Sequence, residues 1–268
     1  MDLPTVTEVL SARDRADLAG WRPGDAYLAG GSWLYSEPQP LVHRLVDLTT
    51  LGWPPLEVSA AGLRIAATCT FAELAAADLP ARWPAAALVR PCCEALLGSF
   101  KVWNVATVGG NLCLALPAGP MTSLTAALDG VCTLWSPDGS QRELPVTDLV
   151  VGAGRTSLLP GEVLRSVLLP EATLSARTAF RRHSLSNLGR SAVLVVGALG
   201  DNAVFTVTAA TTRPVQLRFG SLPSTTRLLQ ALDDAGFDFY DDVHGLPHWR
   251  AALTRQCLAE VRDELAGR

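Results

Sequence analysis

The sequence predicts an α+β fold in which two α/β subdomains precede a three-stranded antiparallel sheet with helices. Two apolar runs end at glycine pairs, within residues 28–34 and 106–112, which is typical of strands that turn sharply in α/β units. Nearer the C-terminus, three apolar runs come before two segments with helical spacing, and this order favours a sheet covered by helices. We therefore divide the 268 residues into domains 1–50, 51–175 and 176–268.

The first elements are predicted from apolar spacing and helix caps. Residues 5–18 should form an opening helix, because their apolar side chains recur at helical spacing. A strand at 26–29 leads into the first glycine pair. Thr70 can cap a short helix, since Glu73 follows three residues later as in a capping box. A second, apolar helix is expected at 85–97.

The remaining elements follow from turn signals and runs of strand-forming residues. A hairpin is expected where the turn sequence Pro-Asp-Gly at 137–139 separates two short strands, 131–135 and 141–144. The other predicted strands are 163–169, 178–183, 192–199 and 203–210, and the other predicted helices are 124–128, 224–235 and 247–265.

The two glycine pairs are the strongest functional signal in the chain. They lie in Leu-Ala-Gly-Gly-Ser-Trp-Leu at 28–34 and in Ala-Thr-Val-Gly-Gly-Asn-Leu at 106–112. A glycine pair after a strand allows a positive φ and can expose successive N–H groups, which form a concave anion site. The spacing fits neither a Rossmann fingerprint nor a P-loop. We expect the two turns to clamp one pyrophosphate from both sides.

Both turns resemble the phosphate loops of the FAD-binding (medium) subunit or domain of the molybdenum hydroxylases, a family that includes carbon monoxide dehydrogenase and xanthine dehydrogenase. The family loops have the forms Ala-Gly-Gly-x-x-Leu and Ala-Thr-x-Gly-Gly-Asn. Further similar segments lie at 45–48, 63–74, 160–170 and 213–215. The resemblance implies a PCMH-type FAD-binding fold, with FAD bound in an extended conformation between the first two subdomains.

The resemblance also implies which residues bind FAD. The glycine turns would hold the pyrophosphate. A leucine of the 160–170 segment and an arginine near a family lysine would complete the site, where a cation stabilises negative charge on the reduced flavin. The implied FAD-binding residues are Ala29, Gly30, Gly31, Ser32, Trp33, Leu34, Ala106, Thr107, Gly109, Gly110, Asn111, Leu164 and Arg182. No residue is assigned as catalytic or as a metal ligand.

Four positions depart from the family pattern and carry apolar residues in place of polar ones: Trp33, Trp103, Leu116 and Pro120. Trp33 has two open interpretations, because an indole could pack under the loop or stack on an aromatic ring of the cofactor. Pro120 stands where the family has an aspartate that binds the adenosine part of FAD. On this basis Pro120→Asp is expected to tighten FAD binding by up to about tenfold.

Composition excludes several classes of function. The net charge is −4 and no basic run stands out, which argues against a nucleic-acid surface. The apolar runs are too short to span a membrane, and the N-terminus has no secretory signal, so a cytoplasmic location is expected. The six cysteines lack zinc or iron–sulfur spacing and are expected to be buried free thiols. Cys113 follows the second glycine turn directly and could lie near a flavin.

Three hypotheses about function follow. In the first, the chain is an FAD-binding oxidoreductase subunit that passes electrons between iron–sulfur and molybdopterin partner subunits and an acceptor. In the second, it is a stand-alone FAD-dependent oxidase or dehydrogenase that acts directly on a small organic substrate, as the apolar departures suggest. In the third, it is a flavin-free assembly module, although both retained glycine turns count against that.

Overall fold

A three-stranded parallel sheet forms the N-terminal part of the protein, in a computed structural model that describes residues 3–267. Its strands are β1 (Glu8–Ser11), β2 (Asp25–Leu28) and β3 (Arg44–Asp47), in the order β1-β3-β2. At the first paired position of β2 and β3, Arg44 donates to Asp25 at 2.9 Å. This hydrogen bond holds the pKa of the Asp25 carboxyl below its usual range.

The predicted opening helix at 5–18 is wrong. The segment instead contains β1 and a 3₁₀ turn at Arg15–Gly20, which Asp14 caps by accepting from the N–H of Ala16 at 2.8 Å. The apolar residues of the segment do recur at helical spacing. However, β1 gains its backbone partners from β3, which lies more than thirty residues later in the chain. The spacing of apolar residues within one segment carries no information about a strand partner so far along the chain.

A five-stranded antiparallel sheet forms the centre of the protein. The strands of this region are β4 (Leu56–Ser59), β5 (Gly62–Ala66), β6 (Val131–Trp135), β7 (Gln141–Pro145), the two-stranded ribbon of β8 (Val150–Gly152) and β9 (Arg155–Thr156), and β10 (Val163–Pro170). The strand order of the five-stranded sheet is β4-β5-β10-β6-β7, so its last strand in sequence lies in the middle. The predicted hairpin of β6 and β7 is confirmed.

Short helices accompany the central sheet. They are α1 (Phe71–Ala75), α2 (Val89–Glu94), α3 (Phe100–Trp103), α4 (Val108–Leu114), α5 (Pro120–Ala127), α6 (Val146–Leu149) and α7 (Glu171–Leu174). The capping box of α1 is confirmed, with reciprocal bonds between Thr70 and Glu73 of 2.8 and 3.1 Å. The helix predicted at 85–97 is instead a 3₁₀ turn, Pro84–Leu88, followed by α2. Pro91 has no N–H to bond back to that turn.

The C-terminal part is an antiparallel sheet with two helices. The sheet has four strands rather than the predicted three: β11 (Arg177–His183), β12 (Val193–Leu199), β13 (Ala203–Thr208) and the unpredicted β14 (Val215–Phe219). The helices are α8 (Thr225–Asp234) and α9 (Pro247–Leu265), close to the predicted bounds. The three larger sheets fall one in each predicted domain. The domain boundaries at 50 and 175 stay a prediction.

Helix α5 joins the central part to the C-terminal sheet. All eight of its residues are buried. The hydroxyls of Ser123 in α5 and Thr208 in β13 lie 2.7 Å apart and form a buried hydrogen bond. Just before α5, the carbonyl oxygen of Pro117 accepts from the N–H of Ala209 at 2.8 Å. The segment after the second glycine pair is therefore held directly against the C-terminal sheet.

Arg250 of α9 is buried and ties three separate segments together. Its side chain is 1% exposed and pairs with Asp242. It also donates to the carbonyl oxygens of Ala192 and Ala209, both at 2.6 Å, and of Gly245 at 2.9 Å. A buried guanidinium is tolerated only when its donors find acceptors, and here the backbone supplies most of them.

We predict that Arg250→Met lowers the free energy of unfolding by about 3–5 kcal/mol, because Asp242 and the three carbonyls lose their partner. Arg255→Met on the same helix is the matched control. Arg255 pairs with Asp233 in solvent, with both side chains more than 40% exposed, and its loss should cost about 0–1 kcal/mol. Urea denaturation of both variants measures the difference, and equal losses would contradict the assigned role of Arg250.

Candidate functional site

A cleft of about 510 Å³ brings the two glycine turns together. Its volume lies within the range of about 300–1,000 Å³ that is usual for small-molecule sites. The predicted site residues that line it are Ala29, Gly30, Gly31, Ser32, Trp33, Leu34, Ala106, Thr107, Gly110 and Asn111. The rest of the wall is mostly apolar, and it includes Phe71, Leu96 and Leu114.

The first turn touches the second through Gly30. A Cβ on Gly30 would lie 1.5 Å from the carbonyl oxygen of Val105, so no other residue fits there without separating the turns. Gly31 has a φ of +68°, and a Cβ on it would lie 2.5 Å from the ring of Tyr35. The glycine pair is therefore required by a close approach at one position and by a left-handed backbone at the next.

The backbone N–H groups of the first turn are free to bind a ligand. Within residues 3–267, no hydrogen bond is donated by the N–H groups of Gly30, Gly31, Ser32 or Trp33. All four residues line the cleft. Four successive unpaired donors at a turn with a positive φ form the kind of concavity that binds phosphate or other anions.

The second turn differs from the expected nest, because the N–H groups of residues 108–111 are already used. The N–H of Val108 donates to Cys69 at 2.8 Å, and that of Gly109 donates to Ala67 at 2.9 Å. The N–H groups of Gly110 and Asn111 donate to the hydroxyl and carbonyl of Thr107 at 3.1 and 3.0 Å. These bonds start α4. Residues 108–111 therefore offer no row of free backbone donors like that of the first turn.

Side chains supply the donors at the second turn instead. The Thr107 hydroxyl accepts from Gly110, so its own proton remains available to a ligand. The Oδ1 atom of Asn111 accepts from the N–H of Met121 at 3.0 Å, which leaves the amide NH₂ as a donor. Both residues line the cleft, and Thr107 is 4% exposed. One turn thus offers backbone donors and the other offers side-chain donors.

The two glycines of the second turn have different surroundings. A Cβ on Gly109 would lie 2.4 Å from the Cβ of Ala67, so this glycine packs against the central sheet and does not line the cleft. A Cβ on Gly110 would meet only the hydroxyl of Thr107, at 2.9 Å. Gly110 borders the open side of the turn, where any added side chain would enter the cleft.

Two other predicted site residues also lie away from the cleft wall. Leu164 is 3% exposed and packs in the core of the central sheet. Arg182 donates to the hydroxyl of Ser191 at 2.7 Å and to the carbonyl of Gly189, and burial lowers the pKa of its guanidinium. The structure brings neither side chain to the wall that the glycine turns form.

The four departures from the family pattern divide into two pairs. Trp33, which is 37% exposed, and Leu116 line the cleft. Trp103 packs against the central core, and Pro120 is buried as the first residue of α5. Because Pro120 does not face the cleft, a carboxylate there would be buried away from any ligand. The structure therefore contradicts the expectation that Pro120→Asp tightens FAD binding.

Sequence reasoning did not assign Arg190 to the site. Arg190 lies in the loop between β11 and β12, and it is the only charged residue that lines the cleft within residues 3–267. Arg190 belongs to no motif in the sequence, so only the folded structure shows that it lines the cleft. Cys113, expected near the cofactor, does line the cleft and is exposed, whereas the other five cysteines are buried.

Comparison with known proteins identifies the family. Residues 5–172, more than half of the chain, match the family described as the FAD binding domain in molybdopterin dehydrogenase. The chain belongs to this family. The family match confirms FAD as the cofactor, in agreement with the resemblance of the two glycine turns. The chain thus carries an FAD-binding domain of the molybdopterin dehydrogenase type.

Two curated relatives match parts of this FAD-binding chain. It is 34% identical over 84 residues to xanthine dehydrogenase of Oryza sativa subsp. japonica, a match to 29% of this chain. It is 32% identical over 99 residues, 35% of the chain, to the 6-hydroxypseudooxynicotine dehydrogenase complex subunit alpha of Paenarthrobacter nicotinovorans. The matched segments span 6% and 33% of those two relatives, respectively.

Solved structures resemble the whole fold. Quinoline 2-oxidoreductase from Pseudomonas putida 86 contains a chain that superposes with a TM-score of 0.83 at 22% identity, covering 100% of this chain and 99% of the other. Carbon monoxide dehydrogenase from Oligotropha carboxidovorans gives a TM-score of 0.81 at 20% identity, covering 100% of both chains. These likenesses confirm the α+β fold class.

The residues of the cleft fit FAD. Free N–H groups of Gly30, Gly31 and Ser32 suit a diphosphate, and the hydroxyl donor of Thr107 and the amide donor of Asn111 line the same cleft. Apolar walls suit flat aromatic rings.

Of the helices between residues 3 and 267, not one has the length and apolar character needed to cross a membrane.

We predict that Gly110→Val weakens FAD binding by at least about tenfold, equivalent to about 1.4 kcal/mol, because a branched side chain would enter the cleft beside Thr107. Gly220→Val is the matched control, since a Cβ on Gly220 meets nothing within 4 Å. Fluorescence quenching measures the dissociation constants. If the Gly110 variant is folded and holds FAD as tightly as the control, the cofactor does not pass this turn.

Proposed function

We propose that this chain is an FAD-binding subunit that passes electrons between iron–sulfur and molybdopterin partner subunits and an acceptor. The observation that carries the proposal is the cleft itself, in which a turn with four free N–H donors faces the side-chain donors of a second turn. The matched segments span only 6% and 33% of the two curated relatives, so the partners, the acceptor and a cytoplasmic location all belong to this proposal.

The diphosphate of FAD would be held by both turns. The N–H groups of Gly30, Gly31 and Ser32 donate from one side, and the Thr107 hydroxyl and Asn111 amide donate from the other. Charge-assisted bonds of this type are stronger than neutral ones, so a fixed diphosphate would anchor the whole cofactor. Trp33, exposed on the cleft wall, is placed to stack on one of the aromatic rings.

Bound FAD supplies the redox chemistry, accepting and releasing electrons in one- or two-electron steps. The chain's own residues bind and orient it. Within the described residues, the cleft is lined by no His, Lys, Asp or Glu side chain, and its proton-bearing side chains include Tyr27 and Cys113. The lack of a carboxylate, a lysine or a histidine on this wall supports electron transfer over direct oxidation of a substrate on this chain.

The stand-alone enzyme is the second candidate, and Trp33 and Leu116 favour it. Both are apolar, both stand where the family pattern has polar residues, and both line the cleft. An apolar wall beside a flavin could accept a small organic substrate directly. The two candidates differ in what reduces the bound FAD, which is a measurable property.

We predict that the chain purified alone carries FAD, which denaturation releases and chromatography distinguishes from FMN and riboflavin. Under anaerobic conditions, reduced iron–sulfur protein should bleach the flavin absorption, whereas small organic substrates should leave it unchanged. A chain that takes up no flavin, even when FAD is added in excess, would refute the proposed function. Rapid bleaching by an organic substrate alone would favour the stand-alone enzyme instead.

A further inference from the structure

The N-terminal unit, which we define as residues 3–52, shares no backbone–backbone hydrogen bond with residues 53–267. All strand pairings of β1, β2 and β3 lie inside this unit. Its buried apolar cluster is completed from outside, because it consists of Ala12, Leu18, Val46, Leu48 and Val163 of β10. A unit that is attached by few contacts opens at a lower free energy than the whole fold.

Two hydrogen bonds cross between this unit and residues 53–267, and side chains donate both. Arg15 donates to the carbonyl of Ser140, which lies in the turn between β6 and β7. The hydroxyl of Tyr27 donates to the carbonyl of Gly161 at 2.8 Å. Because Tyr27 also lines the cleft, the boundary between the N-terminal unit and the central part runs along the cleft wall.

The contact at Arg15 belongs to a stack of side chains, the Trp135 stack, which consists of Arg15, Trp135, Trp53 and Arg165. The guanidinium carbon of Arg15 lies 4.7 Å from the centre of the Trp135 ring. Trp53 meets Trp135 edge to face at 5.4 Å. Arg165 lies 4.4 Å from the Trp53 ring and 5.6 Å from the Trp135 ring. An indole attracts a guanidinium, and more strongly where water is excluded.

The two arginines of the stack depend on the indole rings. Arg165 is the extra residue of a β-bulge in β10, between Leu164 and Ser166, and burial lowers the pKa of its guanidinium. The Nε atom of Arg15 and the Nη1 atom of Arg165 are buried, and neither has a hydrogen-bond acceptor among residues 3–267. The rings are the groups in contact that compensate these nitrogens. Such a stack separates without breaking any backbone hydrogen bond.

We propose that the N-terminal unit is a gate for FAD, which opens away from the central part to admit or release the cofactor, and that the Trp135 stack holds it closed. In the closed form, free N–H groups at 30–32 lie in the unit, whereas Thr107 and Asn111 lie outside it. Bound FAD would bridge the two and keep the gate closed. This inference goes beyond the proposed function, because loading of FAD does not depend on the electron donor or acceptor.

A gate of this kind has a kinetic signature. The Trp135 stack forms in the closed state with and without FAD, so weakening it raises the open fraction of both forms by the same factor. Entry and release of FAD then both become faster. The ratio of the two rate constants, which is the dissociation constant, stays the same. A variant that merely damages the fold would bind FAD more weakly without faster entry.

The test measures entry and release of FAD by stopped-flow fluorescence in Trp135→Leu, which removes the ring that Arg15 covers. Both rate constants should rise about tenfold, as expected for lost cation–π contacts, with the dissociation constant unchanged within about twofold. Trp135→Phe keeps an aromatic face and should resemble wild type. The matched control is Phe219→Leu in the C-terminal part, where Phe219 contacts Phe205 at 6.2 Å and Arg227 at 5.7 Å. It should change neither rate constant.

Hydrogen exchange gives a second readout, and it also serves if Trp135→Leu fails to fold. In the flavin-free protein, the amides of β1–β3 should exchange faster than those of β12 and β13. Arg15→Gln, a milder change in the stack, should accelerate exchange of β1–β3 alone. FAD at 100 times its dissociation constant should slow the exchange of β1–β3 about a hundredfold.

Three results would overturn the inference. Equal exchange of β1–β3 and β12–β13 in the flavin-free protein would mean that the unit does not open separately. Unchanged rate constants in a folded Trp135→Leu protein would mean that the stack does not hold the gate closed. Weaker binding without faster entry would give Trp135 a merely structural role. If wild type binds no FAD, the proposed function fails and the gate for FAD fails with it.

Discussion

The approach of Gly30 to the carbonyl oxygen of Val105 is the contact on which the cleft depends. It leaves no room for a Cβ, since one would lie 1.5 Å from that oxygen. The contact joins the parallel N-terminal sheet to the segment that starts α4, and so it sets the two glycine turns face to face. The free N–H groups of the first turn and the Thr107 hydroxyl line one cleft because these backbones touch. A larger residue at position 30 would separate the donors from one another.

Much of the fold and of the site could be predicted from sequence because their signals are local. The capping box of Thr70 and Glu73 and the hairpin of β6 and β7 depend only on neighbouring residues, and both are confirmed. The glycine turns were found in the same way, and residues of both line the cleft. β14 was missed although Val215–Phe219 alternates apolar and polar residues, which is the signal of a half-buried strand.

The remaining features depend on contacts between distant segments. β1 owes its extended form to β3, and the segment after the second glycine turn owes its place to a bond between Pro117 and Ala209 of the C-terminal part. The second glycine turn also shows that contacts between distant segments cannot be predicted from local sequence. Its sequence suggests free N–H groups, but the fold uses those of Val108 and Gly109 to bond to Cys69 and Ala67. Only the packed structure shows that its donors to a ligand are side chains.

The most direct test of this account is calorimetric titration of the flavin-free protein with FAD, ADP and riboflavin. If the glycine turns anchor the diphosphate, ADP should bind in competition with FAD. Riboflavin, which has no phosphate, should bind on the order of a hundredfold more weakly than FAD, equivalent to about 2.8 kcal/mol. Riboflavin binding as tightly as FAD, together with no competition from ADP, would contradict the account and place the recognition of the cofactor away from the two turns.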